Sequence, residues 1–250
     1  MASAATQAPG ASSNSIARIA GVLFSPKETF ASIAQRPTWL APVVLGVIVG
    51  VALIAVFTNR VGWATYLEHQ NSQNAAMAQR LEQMSPEQRQ QTLNLQVKFA
   101  EPIGFVLAAI GPFLFTALLA AIMLGLFNLV YGAQIGFKTS LGVVAYAFVP
   151  RLIYSLLGMF IIFVKDPSQV DLQNLTASNP GALMSSETTR WMVVLATQFD
   201  LFAIWVIILL AMGYHAANPK KVSFGGALAG IVGLWLFWVI VITGFTALTT

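Results

Sequence analysis

Cysteine is absent from this chain of 250 residues, so there is no disulfide, no thiolate nucleophile and no cysteine-ligated metal. Histidine occurs only as His69 and His215, which argues against an imidazole metal cluster. Charge is scarce as well: 9% of residues are charged, where a soluble domain has about a quarter. The net charge of +4 does not point to nucleic acid, because the basic residues stand singly around apolar stretches instead of gathering on one face. Their natural partners are lipid headgroups. A phosphate-binding glycine loop, a catalytic triad and carboxylates paired at a useful spacing are also missing. We therefore read no enzyme and expect no cofactor, no metal and no catalytic residue.

What the chain has instead is apolar sequence, 57% of its residues. Five long apolar stretches are each near the roughly 20 residues that a helix needs to cross a bilayer. The clearest runs from Pro37 to Asn59 without a charge, between Arg36 and Arg60. The expected fold is an all-α integral membrane protein, a five-helix transmembrane bundle with spans at about 39–58, 102–131, 139–164, 191–214 and 224–248. The second interval is too long for one straight crossing, since about thirty residues make roughly 45 Å. Part of it should project from the bilayer or bend at Gly111-Pro112.

Residues 1–15 are uncharged and have no apolar run, so they read as a disordered tail ahead of a membrane domain over 16–250. They lack the basic start and apolar core of a secretory signal, which leaves the first span to direct insertion. Ile16, Ile19, Ala20 and Leu23 then recur at helical spacing. This stripe, with Arg18 off it, predicts an amphipathic helix in the membrane interface leading to the first span. Ser25-Pro26-Lys27-Glu28 has the pattern of a capping box, and Ser85-Pro86-Glu87-Gln88 repeats it. The second box falls in the polar, glutamine-rich interval Arg60 to Glu101, where an extramembrane helical pair is expected between the first two spans. The connection Lys165 to Arg190 carries the turn signal Ser178-Asn179-Pro180-Gly181 and looks irregular.

Lysine and arginine are divided equally between the two sides of such a bundle. The Lys220-Lys221 pair in a short loop and the basic entry to the first helix favour a cytoplasmic amino terminus. Two charges fall inside spans, Arg151 in the third and Asp200 in the fourth. Each alone in hydrocarbon costs roughly 3 kcal/mol or more, so both should face the bundle or water. Their depths match closely enough for an ion pair joining the two helices, which we prefer to an ion or proton path. Tyr146 with Pro150 marks a kink, because proline leaves the carbonyl four residues back without its amide. Gly46 with Gly50 and Gly226 with Gly230 permit close helix approach. Tryptophans near span ends, among them Trp39, Trp63 and Trp191, read as headgroup-level anchors.

In order along the chain, three segments carry a family resemblance. Ile19-Ala20-Gly21-Val22-Leu23-Phe24-Ser25-Pro26-Lys27-Glu28-Thr29-Phe30, followed by Arg36-Pro37-Thr38-Trp39-Leu40-Ala41-Pro42, resembles the opening of bacterial proteins of the Ypt-interacting-protein (Yip) domain family. Tyr146-Ala147-Phe148-Val149-Pro150 resembles that family's tyrosine-to-proline motif in its third helix. Phe199-Asp200-Leu201-Phe202-Ala203-Ile204-Trp205 resembles its pattern in the fourth. The resemblance implies five membrane helices and a non-enzymatic role, a scaffold or adaptor that binds protein partners or organises lipid. Eukaryotic members associate with prenylated Rab-type GTPases. This chain lacks their acidic aspartate-leucine-tyrosine-glycine-proline segment before the first helix, so small-GTPase binding is not carried over. The expected partners are the lipid bilayer and other membrane proteins or further copies of the chain. The alternative is a small transporter or channel that uses Arg151 and Asp200. The residues singled out as structural or functional are Arg151, Asp200, Tyr146, Pro150 and Trp205.

Overall fold

The computed structural model describes residues 14–249 except 74, 168, 169, 171, 173, 186 and 187. Residues 1–13 of the expected tail lie outside the described residues. Among the described residues eleven α-helices follow in order: α1 (Ser15–Phe24), α2 (Pro26–Gln35), α3 (Leu40–Arg60), α4 (Trp63–Gln73), α5 (Ala75–Glu82), α6 (Pro86–Gly125), α7 (Phe137–Ala147), α8 (Val149–Val164), α9 (Arg190–Gln198), α10 (Leu201–Ala217) and α11 (Phe224–Thr249). A π-helical turn, Leu126–Val130, ends α6, and a 3-10 turn, Pro180–Leu183, precedes α9. No strand occurs among the described residues.

Among the described residues, four stretches are helical, long and apolar enough to cross a membrane: Leu40–Arg60, Pro86–Val130, Phe137–Val164 and Phe224–Leu248. The pair α9 and α10, bent by 42°, makes a fifth if it counts as one span. These helices leave large apolar side chains uncovered, including Leu107, Leu114, Phe160, Phe237 and Phe245. A helical surface of this kind suits lipid contact, because hydrocarbon solvates such side chains as well as a protein core does.

Three details of the spanning helices have local reasons, and only the break in the fourth was not expected. α6 runs without interruption through Gly111 and Pro112. Its 40 residues make about 60 Å, more than the roughly 45 Å of a whole bilayer, so the excess length is taken up by projection. Pro112 removes the amide that would bond the Ala108 carbonyl, and Gly50 of α3 faces that oxygen, where an added Cβ would lie at 3.6 Å. The fourth span is not one helix, because Asp200 breaks it. The third is interrupted at Phe148, between Tyr146 and Pro150, where the kink was expected.

The two capping boxes fare differently. At α6 the box forms in both directions: the Gln88 amide donates to Ser85 Oγ at 3.3 Å and the Ser85 amide to Gln88 Oε1 at 3.0 Å. At α2 it does not form. Ser25 is the single residue between α1 and α2, and its amide is engaged at 2.7 Å by the Gly21 carbonyl that closes α1. Its hydroxyl makes no capping bond; instead the Thr29 hydroxyl donates to the Ser25 carbonyl at 2.8 Å.

The chain divides into two compact units. Unit 1 comprises Met1–Val43, Phe115–Pro150 and Ala203–Val241. Its core is made by Val22 of α1, Phe30 and Ile33 of α2, Phe127, Val143 and Val144 of α7, and Leu209 and Tyr214 of α10. Two glycines make room for α2 there. A Cβ on Gly213 would collide with Val143 Cγ1 and meet Phe30 Cδ1 at 3.0 Å, and one on Gly142 would meet the Thr38 carbonyl at 3.0 Å. Gly213→Ala is therefore expected to lose about 1–3 kcal/mol by overpacking. A lowered thermal midpoint in detergent, with little change for Gly225→Ala, where the added Cβ meets nothing within 4 Å, would check it.

Unit 2 comprises Val44–Leu114, Arg151–Phe202 and Ile242–Thr250. Phe57, Val61, Ile162, Val170 and Leu175 form its core, with Trp63, Tyr66 and Tyr154 packed around them. Trp63 is thus a packing residue: its ring lies edge-on to Phe57 at 5.2 Å and fills the space beside Gly104, and its indole donates to Thr58 Oγ1 at 3.0 Å.

Candidate functional site

Two polar constellations, one in each unit, gather three of the five residues that the sequence singled out: Arg151 and Asp200 in unit 2 and Tyr146 in unit 1. In unit 2, Asp200 stands in the break between α9 and α10. Aspartate is a poor helix-interior residue and a strong N-cap, since its short carboxylate reaches the free amides of the next turn. Its Oδ1 accepts the Phe202 amide at 3.0 Å and Arg151 NH1 at 3.3 Å, and its Oδ2 accepts the Ser178 hydroxyl. The Ser178 carbonyl in turn accepts the Leu201 amide at 3.0 Å.

The ion pair expected between the third and fourth spans is therefore present, but it is one bond of several. Asp200 is nearly buried while the Arg151 side chain is 44% exposed. The guanidinium lies 4.7 Å from the centroid of the Tyr154 ring, a cation-π contact that offsets part of its desolvation.

Sequence reasoning read Ser178 only as part of a turn signal and missed its bond to Asp200. Val170 and Leu175 are buried in the unit 2 core, with the Leu175 side chain lying against Gly158 of α8. Asn179 donates to Asn174 Oδ1 at 2.8 Å and caps the 3-10 turn through the Ala182 amide. The signal that would have placed Asp200 was available. An Asp immediately before an apolar run is a helix start, the same rule that located Ser85.

In unit 1 the centre is Tyr146, fully buried on α7. Its hydroxyl donates to the Ser15 carbonyl at 3.2 Å and lies 3.2 Å from Thr38 Oγ1. Arg18 completes the arrangement from α1. Its NH1 donates to the Arg36 carbonyl at 2.8 Å and to Thr38 Oγ1 at 3.0 Å, and its NH2 to Ser32 Oγ at 2.8 Å. Tyr146 is thus more than a kink marker: with Arg18 it ties the hairpin of α1 and α2 to α7.

The orientation of α1 is the reverse of that on a soluble protein. Arg18 and Val22 face inward, while Ile16 and Phe24 are 71% and 84% exposed. Polar acceptors at the end of α2 draw the arginine in and leave the apolar stripe outside. All these acceptors are neutral, and Arg18 Nε is buried without a partner.

The remaining residues have plainer places. Pro150 is buried in the first turn of α8, and Trp205 is half-buried on α10. Ser140, not foreseen, donates to the Ala120 carbonyl at 2.7 Å and bonds the Tyr214 hydroxyl at 2.5 Å, while the Tyr214 ring stacks on Phe127 at 4.2 Å. Gly226 and Gly230 pack within the chain, against the Tyr131 ring. A cavity of about 470 Å³ lies among α4, α5 and the start of α6, lined by Glu68, Asn71, Glu82, Arg89 and Gln90 among others. Arg89 is engaged there by the Glu82 and Met84 carbonyls. No group of three or more His, Cys, Asp or Glu able to hold a metal occurs among the described residues.

The sequence matches the Yip1 domain over residues 20–245. No curated protein and no solved structure matches it. The match begins within α1 and ends within α11, so it takes in the broken fourth span, the Tyr146 segment of α7 and the loop that docks on Asp200. The chain is a membrane protein of the Yip1 domain family.

Proposed function

We propose that this protein is a non-enzymatic membrane scaffold or adaptor that binds protein partners or organises lipid. The observation that carries the reading is the use made of Asp200. Its carboxylate caps α10, holds Ser178 and pairs with Arg151. A carboxylate so engaged holds structure together; one serving an ion path must exchange its partners for the ion.

The broken fourth span is the one feature that favours a transporter, because discontinuous helices often build ion and substrate sites. In such sites the positive end of a half-helix points at a bound anion. Here the amino-terminal end of α10 is met by the chain's own Asp200. Photo-cross-linking in native membranes followed by partner identification tests the scaffold. A discrete set of cross-linked membrane proteins supports it, and a chain that cross-links to nothing while conducting ions in vesicles rejects it.

The amino terminus lies in the cytoplasm in this reading, in the inner membrane of a bacterial host. Lys220 and Lys221, on the short turn between α10 and α11, support that side by the positive-inside tendency. The absence of cysteine permits a direct check. Gln91→Cys is expected to react with an impermeant reagent in intact cells and Lys221→Cys to be protected; the reverse pattern would reject the orientation.

A further inference from the structure

Charge is divided unequally between the two units. Unit 1 holds Arg18, Lys27, Arg36, Lys138, Lys220 and Lys221 against the single carboxylate of Glu28. In unit 2 the two signs balance to within one charge. Apart from Arg18, the basic side chains of unit 1 are exposed. They stand close to the ends of membrane helices. Arg36 is a few residues ahead of α3, Lys138 is in the first turn of α7, and Lys220 and Lys221 lie between α10 and α11.

The lysine-bearing turns are held in place, which lowers the entropy lost when a ligand binds. Asn218 donates to the Ala133 carbonyl at 2.7 Å, His215 Nδ1 lies 2.7 Å from the Val222 carbonyl, and Asn128 brackets Ile135 through both its amide and its carbonyl. The connection before Lys138 and the turn bearing Lys220 and Lys221 are therefore neighbours. Arg18 adds a buried positive charge met only by neutral oxygens, and beside it the outward face of α1 is apolar.

We infer that this face of unit 1 is a docking surface for acidic phospholipids of the adjoining leaflet, with phosphates on Lys138, Lys220 and Lys221 and the Ile16 and Phe24 side chains seated among the upper acyl chains. The inference rests on the lipid-organising branch of the proposed function. Charge complementarity and closeness to the ends of spanning helices select the bilayer as occupant. Each basic residue near an anionic surface is worth about fivefold in association, and the exposed apolar face adds burial that a dissolved anion would not supply.

The test uses the full-length protein reconstituted in phosphatidylcholine vesicles, with trace spin-labelled phosphatidylglycerol or phosphatidylcholine reporting the lipid held at the protein surface. Phosphatidylglycerol is expected to be favoured by at least about fivefold, the contribution of a single basic residue. The preference should fall severalfold in Lys220→Glu with Lys221→Glu, and also in the neutral pair Lys220→Gln with Lys221→Gln, which keeps the inference testable if the double reversal does not fold. It should disappear near 1 M salt, where the screening length is about 3 Å, and remain in Lys165→Glu with Arg190→Glu of unit 2. Equal association of the two lipids, or a preference indifferent to the lysine pair, overturns the inference. Competition by millimolar inorganic phosphate overturns it in favour of a dissolved-anion site. An unchanged lipid preference with loss of a cross-linked acidic protein overturns it in favour of a protein partner, and in that outcome the scaffold reading survives.

Discussion

Asp200→Ala is expected to destabilise the folded protein by about 3 kcal/mol, the sum of a lost N-cap at about 1 kcal/mol and a lost charged hydrogen bond of about 2 kcal/mol. The Arg151 pair is left out of that sum, because at 3.3 Å it is one bond among several on the carboxylate. Asp200→Asn keeps one acceptor oxygen for the Phe202 amide and presents an NH2 group to the Ser178 hydroxyl, which can turn to accept from it, so about half the loss is expected. If the ion pair were the main contribution, asparagine and alanine would be equally damaging. Charge exchange separates the two accounts further. Arg151→Asp with Asp200→Arg restores opposite charges, but an arginine has no acceptor for the Phe202 amide or the Ser178 hydroxyl. The exchange is accordingly expected to be no more stable than Asp200→Ala. Thermal midpoints in detergent, with hydrogen exchange across 174–201, distinguish these outcomes.

Arg18→Met is the second large effect, and it is local. The substitution removes the donors to Ser32, Thr38 and the Arg36 carbonyl and leaves acceptors on a half-buried face, at about 1–3 kcal/mol for an unsatisfied group. The hairpin of α1 and α2 is expected to lose about 3 kcal/mol of protection, while the Phe127 and Tyr214 stack of unit 1 is unaffected. Hydrogen exchange should show faster opening over residues 15–36 with α10 unchanged. Arg18→Lys recovers only part, because a point-like ammonium cannot reach Ser32 and Thr38 as the forked guanidinium does. Uniform loss of protection across the bundle would show that the hairpin belongs to the global folding unit and is not a separately held element.

These two residues also show what was legible in the sequence. The spans were readable because hydrocarbon imposes a length and a composition on any helix that crosses it. The pairing of Arg151 with Asp200 followed from matched depth. The break at Asp200 was not read, because the apolar run continues on both sides of it and hydropathy is blind to one capping residue. Arg18 was read only as lying off the apolar stripe of α1, which was expected to face the membrane interface. That neutral oxygens of α2 and its exit take the guanidinium was not legible, because hydroxyls and a backbone carbonyl leave no charge pattern in the sequence. The packing of Val170 and Leu175 after α8 was hidden for another reason. Val170 and Leu175 are isolated apolar residues whose burial depends on a core made by Phe57, Val61 and Ile162, far away in sequence.

Ion flux through vesicles containing the purified protein tests most directly whether the polar groups of this bundle hold it together or conduct. Proton and monovalent cation flux is expected to equal that of protein-free vesicles, and to remain so in Asp200→Asn. A protein-dependent flux that Asp200→Asn abolishes without lowering the amount of folded protein would contradict it and establish Asp200 as part of an ion path.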